Sequence, residues 1–112
     1  MKDDTNTQIV KNDTIHIVNK ELEYEIIIIE PGFYSWLVTQ PPRSFYGISY
    51  LEGRNRLYVS GYNRRVRDMQ YSRIIYPQQI DYEPTVHYGL EVNYLLYNYF
   101  KFFEKTYNQK IY

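Results

Sequence analysis

Four consecutive isoleucines, Ile26 to Ile29, stand between Glu25 and Glu30 and are stopped by Pro31-Gly32. Four β-branched side chains in a row favour a strand over a helix, because their stiffness about χ1 suits a pleated sheet. A strand with one buried face alternates apolar and polar residues, and here the alternation ends at Ile26. The run therefore predicts a strand covered on both faces, central to a small layered domain. Upstream, Thr14–Val18 alternates with Ile15 and Ile17 on one side, Asn19-Lys20 reads as a turn, and Glu21–Ile29 reads as the returning strand. Leu22, Tyr24 and Ile26 then share one face, with Glu21, Glu23 and Glu25 on the other, an acidic edge that resists edge-to-edge association.

The remaining chain alternates loops with helical spacing. Met1 to about Asn12 is polar and aperiodic and reads as a mobile arm, leaving residues 13–112 as one domain. Pro31-Gly32 has the order a type II turn requires, and Phe33–Gln40 has room for one helical turn before Pro41-Pro42. Ser44 can cap a helix whose apolar positions are Ile48, Leu51, Tyr58, Tyr62, Val66 and Met69. Gly53 and Gly61 each weaken that helix by about 1 kcal/mol relative to Ala, so Arg56–Ser60 stays open as a third strand. Tyr71–Pro84 reads as loop, since Pro77 and Pro84 exclude a continuous helix. The strongest helical pattern follows, with Thr85 as its expected N-cap and Val92, Leu95, Leu96, Tyr99, Phe102 and Phe103 as one apolar stripe. Glu91, Asn98, Lys101, Lys105 and Asn108 fall mostly on its other side. That helix is expected to cover one face of the isoleucine strand and the middle helix the other. The fold class is α+β: a small antiparallel sheet on a hairpin at 14–30, packed by two helices.

Composition excludes more than it identifies. Thirteen basic residues balance thirteen acidic ones, so no bulk charge draws the chain to nucleic acid or membrane. There is no Cys, hence no disulfide, thiolate site or cysteine nucleophile. The longest apolar run is far short of a membrane span, and MKDDTNTQ lacks the apolar stretch of a signal peptide. Charge is nevertheless uneven. Residues 1–30 carry three Lys against seven acids, −4; residues 31–76 carry all seven Arg against two acids, +5; residues 77–112 carry three Lys against four acids, −1. There are no internal repeats.

Fifteen tyrosines, five phenylalanines and one tryptophan are the compositional anomaly. Tyrosine gives core area through its ring and ends in a hydroxyl suited to a wet boundary, so an amphipathic aromatic core is the plainer reading. The sharper reading is a binding surface: Trp36, Tyr46, Tyr50, Arg54, Tyr58, Tyr62 and Arg65, with Arg64 and Arg67 nearby, interleave rings with planar cations that grip anions and stack on bases or sugars. Against it, the arginines can pair internally with Glu21, Glu23, Glu25, Glu30, Glu52 or Glu91, and Trp36 can plug the core. His87 and Glu91 are four apart, an ordinary surface pair on a helix and only half a metal site, with His16 the only other histidine. Asp81, Glu83 and Glu91 offer paired carboxylates for acid–base chemistry, although two acids in a loop and one on a helix are an ordinary finding that nothing forces together. No nucleophile elbow or phosphate-cradling loop is present, and nothing calls for a cofactor.

EYEIIIIEPGFYSWL, SYLEGRNRLYVSGYNRRVR and IDYEPTVHYGLEVNYLLYNYF resemble a bacterial family of small uncharacterised domains. The resemblance spans about Glu23 to Tyr107 and implies no activity. The family pattern carries an acid where His87 stands and a Trp where Tyr62 stands. It also implies export with a lipoprotein-type signal, which this chain does not display, and hence the cell envelope. The expectation is a non-enzymatic structural or interaction module that binds protein or glycan through its Tyr, Trp and Arg side chains. The alternatives are a polyanion or nucleic-acid binder using Arg43–Arg73, and a small hydrolase using Asp81, Glu83 and Glu91.

Overall fold

A computed structural model describes residues 14–21 and 23–112; the expected N-terminal arm and Leu22 lie outside them. A hairpin of β1 (Ile15–Lys20) and β2 (Glu23–Ile28) leads into a short helix α1 (Phe33–Leu37) and a 3₁₀ turn (Arg43–Phe45). Two long helices follow, α2 (Ile48–Arg67) and α3 (Leu90–Tyr107). Helix α3 packs on β2 and α1 on one side and on α2 on another, so it is the middle layer. Its burial reflects this: every residue from Val92 to Phe100 is enclosed, and so are Phe102 and Phe103. A helix buried almost all round must be apolar almost all round, which the run VNYLLYNYFKFF meets at the cost of three polar positions.

The isoleucine run is a strand, but it is not covered on both faces. Ile26 and Ile28 are 5% and 6% exposed, whereas Ile27 and Ile29 are 40% and 53% exposed, and the strand ends at Ile28. The sheet has only two strands among the described residues. One side of it lies on α3, while α2 packs on α3 and leaves the other side of the sheet uncovered. The outward isoleucines retain β-branched character because a pleated strand favours it on either face. Burial thus alternates although hydrophobicity does not.

The hairpin turn falls later than expected. Lys20 pairs with Glu23 and Ile15 with Ile28, so Asn19 and Lys20 belong to β1, and Glu21 takes the left-handed region at φ 56°. Lys20 Nζ lies 2.6 Å from Glu25 Oε1 across the ladder. The turn after β2 is as read: Gly32 has φ 85° and ψ −10°, and Phe33 N donates to Glu30 O at 3.1 Å, the geometry of a type II turn that glycine adopts without strain.

Arg56–Ser60 is helical, not a third strand, because Leu51, Asn55, Tyr58, Val59 and Tyr62 form the stripe that α2 buries. Ile48, by contrast, is 39% exposed, and Met69 lies beyond the helix end and is 95% exposed. Ser44 sits in the 3₁₀ turn, and α2 starts after Gly47 with no side-chain cap. Thr85 likewise caps nothing: α3 starts after Gly89. His87 is therefore not on the helix, and its Nδ1 lies 3.4 Å from Glu52 Oε2 instead of beside Glu91. Asn98, assigned to the polar side, is fully enclosed.

The two glycines of α2 differ. A Cβ on Gly61 would come 2.7 Å from Ile111 Cγ2 and 3.3 Å from its carbonyl oxygen, so this glycine lets the segment after α3 lie against α2. A Cβ on Gly53 meets nothing within 4 Å. Gly53→Ala is expected to stabilise the domain by about 0.5–1 kcal/mol, since helix propensity rises and no contact opposes it. Gly61→Ala, with the same propensity gain, is expected to give no net stabilisation. Urea denaturation of the pair checks this, and equal gains would discard the close-approach role of Gly61.

Candidate functional site

Eight of the fifteen tyrosines are buried, so the rings do build the core. Tyrosine hydroxyls tie loops to it: buried Tyr94 donates to Pro41 O at 2.7 Å and buried Tyr76 to Gln109 Oε1 at 2.7 Å, and half-buried Tyr107 donates to Glu30 Oε2 at 2.8 Å. Tyr58 stacks on Phe100 at 4.8 Å, and Tyr62 packs against Tyr76 and Phe103. Trp36 is half-buried against Phe33 and Phe102, a supporting ring of the core.

The arginines find partners, but mostly not the acids. Arg43 forms a forked pair with Glu91, Nη2 to Oε2 at 2.6 Å, and that guanidinium holds the Glu91 carboxyl below its usual range. Both groups are about half exposed, so the pair adds little stability. Arg65 donates to Tyr76 Oη at 2.8 Å and to Lys110 O at 2.7 Å, and its guanidinium lies over Tyr71. Arg73 caps the end of α2 by donating to Arg65 O at 2.9 Å and to Val66 O and Asp68 O. Pairing with Glu21, Glu23 or Glu25 is not seen among the described residues. The reason is geometric: the hairpin and α2 lie on different sides of α3.

One part of the predicted cluster does assemble on the surface. Phe45, Tyr46 and Tyr50, with Tyr97 and Lys101 from α3, line an open groove of about 410 Å³. Tyr46 and Tyr50 are nearly parallel, at 8° with centroids 6.0 Å apart, and both meet Tyr97 edge-on. Tyr50 Oη and Tyr97 Oη lie 3.2 Å apart. Tyr97 is the buried floor, and its hydroxyl is pushed well above the ordinary tyrosine range, mainly by burial and then by its bond with Tyr50. The walls are open: Phe45 is 69% and Tyr50 50% exposed. Lys101 Nζ lies 5.4 Å from the Tyr97 centroid. Arg54, one turn after Tyr50, is held against the rings of Tyr58 and Tyr112.

Of the residues singled out in the sequence, Tyr46, Tyr50 and Arg54 come together here and Tyr58 supports them from the core. Trp36, Tyr62 and Arg65 stand elsewhere as structural parts. Phe45, Tyr97 and Lys101 were missed. The available signal was the pair Tyr97/Lys101, one turn apart on α3 and outside its apolar stripe. A second cavity, about 420 Å³, opens between Glu30, Tyr107 and Arg73, but Glu30 is engaged by Tyr107 and Arg73 by carbonyls. Asp81, Glu83 and Glu91 do not gather: Asp81 lines a small cleft beside β1, Glu83 is exposed, and Glu91 is paired with Arg43. Among the described residues no group of His, Asp and Glu is placed to hold a metal, and no helix is long and apolar enough to cross a membrane.

An α+β domain with an open aromatic groove is the class this geometry defines. The chain belongs to a family of unknown function, DUF6146, whose sequence profile matches residues 2–112. No curated protein and no solved structure matches it.

Proposed function

We propose that this domain is a non-enzymatic interaction module that binds a segment of a partner protein in the Phe45–Tyr46–Tyr50–Tyr97 groove. The observation that carries this reading is the exposure of Phe45 and Tyr50 on a well-packed support. Large rings held rigid by their neighbours are the usual anchors of protein interfaces, because they offer much contact area at little entropic cost. A protein segment fits better than a glycan. Sugar hydroxyls require a set of planar polar side chains, and the groove lining offers only Lys101 and tyrosine hydroxyls, two of which face each other, with the single guanidinium of Arg54 beside it. A bacterial cell-envelope setting, implied by the family resemblance, belongs to the same proposal, and fractionation of the full-length protein in its own host checks it.

Selection of binders from a displayed peptide library, followed by titration against Tyr50→Ala, tests the function. The selected peptides are expected to carry aromatic or aliphatic anchors and to lose about thirtyfold in affinity on Tyr50→Ala, the cost of truncating a central ring. Peptides that bind Tyr50→Ala and Phe45→Ala as tightly as the parent would remove the groove from consideration. The polyanion reading retains Arg56, Arg64 and Arg67, which are exposed on α2. It requires affinity that falls steeply with salt.

A further inference from the structure

We infer that the segment bound in the groove carries a carboxylate, received by Arg54, two positions from an aromatic residue. The inference rests on the groove being the binding face. Its own support is the state of Arg54. Arg43, Arg65 and Arg73 are consumed by a carboxylate, a tyrosine hydroxyl or backbone carbonyls. Arg54 makes no ion pair among the described residues: its one side-chain partner is the Tyr58 hydroxyl, and its Nε is buried without a partner. Its guanidinium lies 5.3 Å from the Tyr58 centroid and 4.8 Å from that of Tyr112. Two rings and the Tyr58 hydroxyl thus fix the plane of the cation without neutralising it, while Nε is enclosed. Glu104, which also reaches Tyr58, is occupied by the Ile111 N–H at 2.7 Å.

A preoriented planar cation that has no carboxylate partner of its own is matched by one, which it binds through charge-assisted hydrogen bonds. Lys101 adds a second positive charge on the far side of Tyr97, and no acid lines the groove. Tyr50 and Arg54 are one turn apart on α2, about 6 Å along the axis. Two residues of an extended chain span about 6.6 Å. An aromatic side chain against Tyr46 and Tyr50 therefore places an acid two positions away at Arg54.

The experiment compares two blocked tripeptides, acetyl-Tyr-Ala-Asp-amide and acetyl-Tyr-Ala-Asn-amide, by NMR titration of the groove ring resonances and the Arg54 side-chain N–H. Both peptides are expected to shift the ring resonances, with the Asp peptide binding about tenfold tighter at low salt. That margin is expected to disappear in Arg54→Gln and to shrink at about 0.3 M salt, while Arg54→Lys, which keeps the charge but not the fork, recovers part of it. Equal affinity of the two peptides overturns the carboxylate inference and leaves the groove reading standing. A margin that survives Arg54→Gln and vanishes in Lys101→Gln overturns the assignment to Arg54. Ring resonances unmoved by either peptide overturn the groove and, with it, this inference. A thymidine dinucleotide that outcompetes the Asp peptide at the same salt overturns the protein ligand in favour of nucleic acid.

Discussion

Raising the pH above about 10 is expected to unfold the domain in one step, with tyrosine ionisation and loss of helix coinciding, because the unfolded chain ionises its tyrosines near that pH. The folded domain resists ionisation at Tyr62, Tyr82, Tyr97 and Tyr99, all buried. Each hydroxyl is pushed up chiefly by desolvation of the phenolate, Tyr82 to about 12 and the others further. A folded-state pKa above the unfolded one stabilises fully below the unfolded value, and that contribution is lost as pH climbs towards the folded one. Above pH 10 each hydroxyl kept protonated costs about 1.4 kcal/mol per pH unit, so four cost about 5.6. A domain of this size has only about 5–15 kcal/mol to lose. The transition therefore falls between about 10 and 13, as a cooperative event. Tyrosinate absorbance and far-UV circular dichroism, followed together, read it. Tyr99→Phe is expected to flatten the dependence by about one proton, or 1.4 kcal/mol per pH unit. Independent ionisation steps with the helix signal intact would show that the hydroxyls are wetter than their burial states.

How far the sequence reveals this fold depends on which signal each element carries. The α3 stripe from Val92 to Phe103 is legible because six apolar residues repeat at helical spacing, and all six are buried. The Pro31-Gly32 turn is legible because its residue order is nearly unique to one backbone conformation. Layer order is not legible. Ile27 and Ile29 are as apolar as Ile26 and Ile28, and nothing in their identity tells that α2 packs on α3 and not on the sheet. The start of α3 is misplaced for a related reason: Thr85 has the chemistry of a cap, but tertiary packing starts the helix at Gly89-Leu90.

The candidate groove is half legible. Tyr46, Tyr50 and Arg54 share one stretch of chain, so their interleaving is visible; Tyr97 arrives from 47 positions beyond Tyr50, and Lys101 lies one helical turn further on. What the alternation of rings and cations could not reveal is which arginines are already engaged. Arg65 and Arg54 occur in similar local sequence, yet Arg65 is tied to a tyrosine hydroxyl and a backbone carbonyl, while Arg54 lies on two ring faces with the Tyr58 hydroxyl as its side-chain partner. That difference is tertiary, and it separates a structural arginine from a candidate receptor.

Asn93→Ala is expected to be the most damaging truncation of the buried polar groups between α2 and α3, at about 2–4 kcal/mol, because it strands two buried donors at once. Asn55 and Asn93 are both fully enclosed. Asn93 Oδ1 accepts from Asn55 Nδ2 at 2.9 Å and from Tyr82 Oη at 2.8 Å, and Asn93 Nδ2 donates to Gly89 O at 2.9 Å. Asn55 Nδ2 also donates to Asn93 O at 3.0 Å. This amide thus joins α2, the loop that carries Tyr82 and the first turn of α3. The Asn93→Ala change strands the Tyr82 hydroxyl and one N–H of the Asn55 amide, each costing about 1–3 kcal/mol when buried unmet, while Gly89 O keeps the backbone N–H of residue 93 at 3.2 Å. Asn55→Ala is milder, at about 2 kcal/mol, because Asn93 Oδ1 still receives Tyr82 and the already unpartnered Asn55 Oδ1 is removed too. Tyr82→Phe deletes one hydroxyl and keeps the 4.9 Å stack on Tyr88, for about 1 kcal/mol. Urea denaturation should return that order, and a double-mutant cycle between positions 55 and 93 should show coupling of at least about 1 kcal/mol. If Asn93→Ala costs less than Tyr82→Phe, water reaches the site, and these asparagines do not hold the two helices in register.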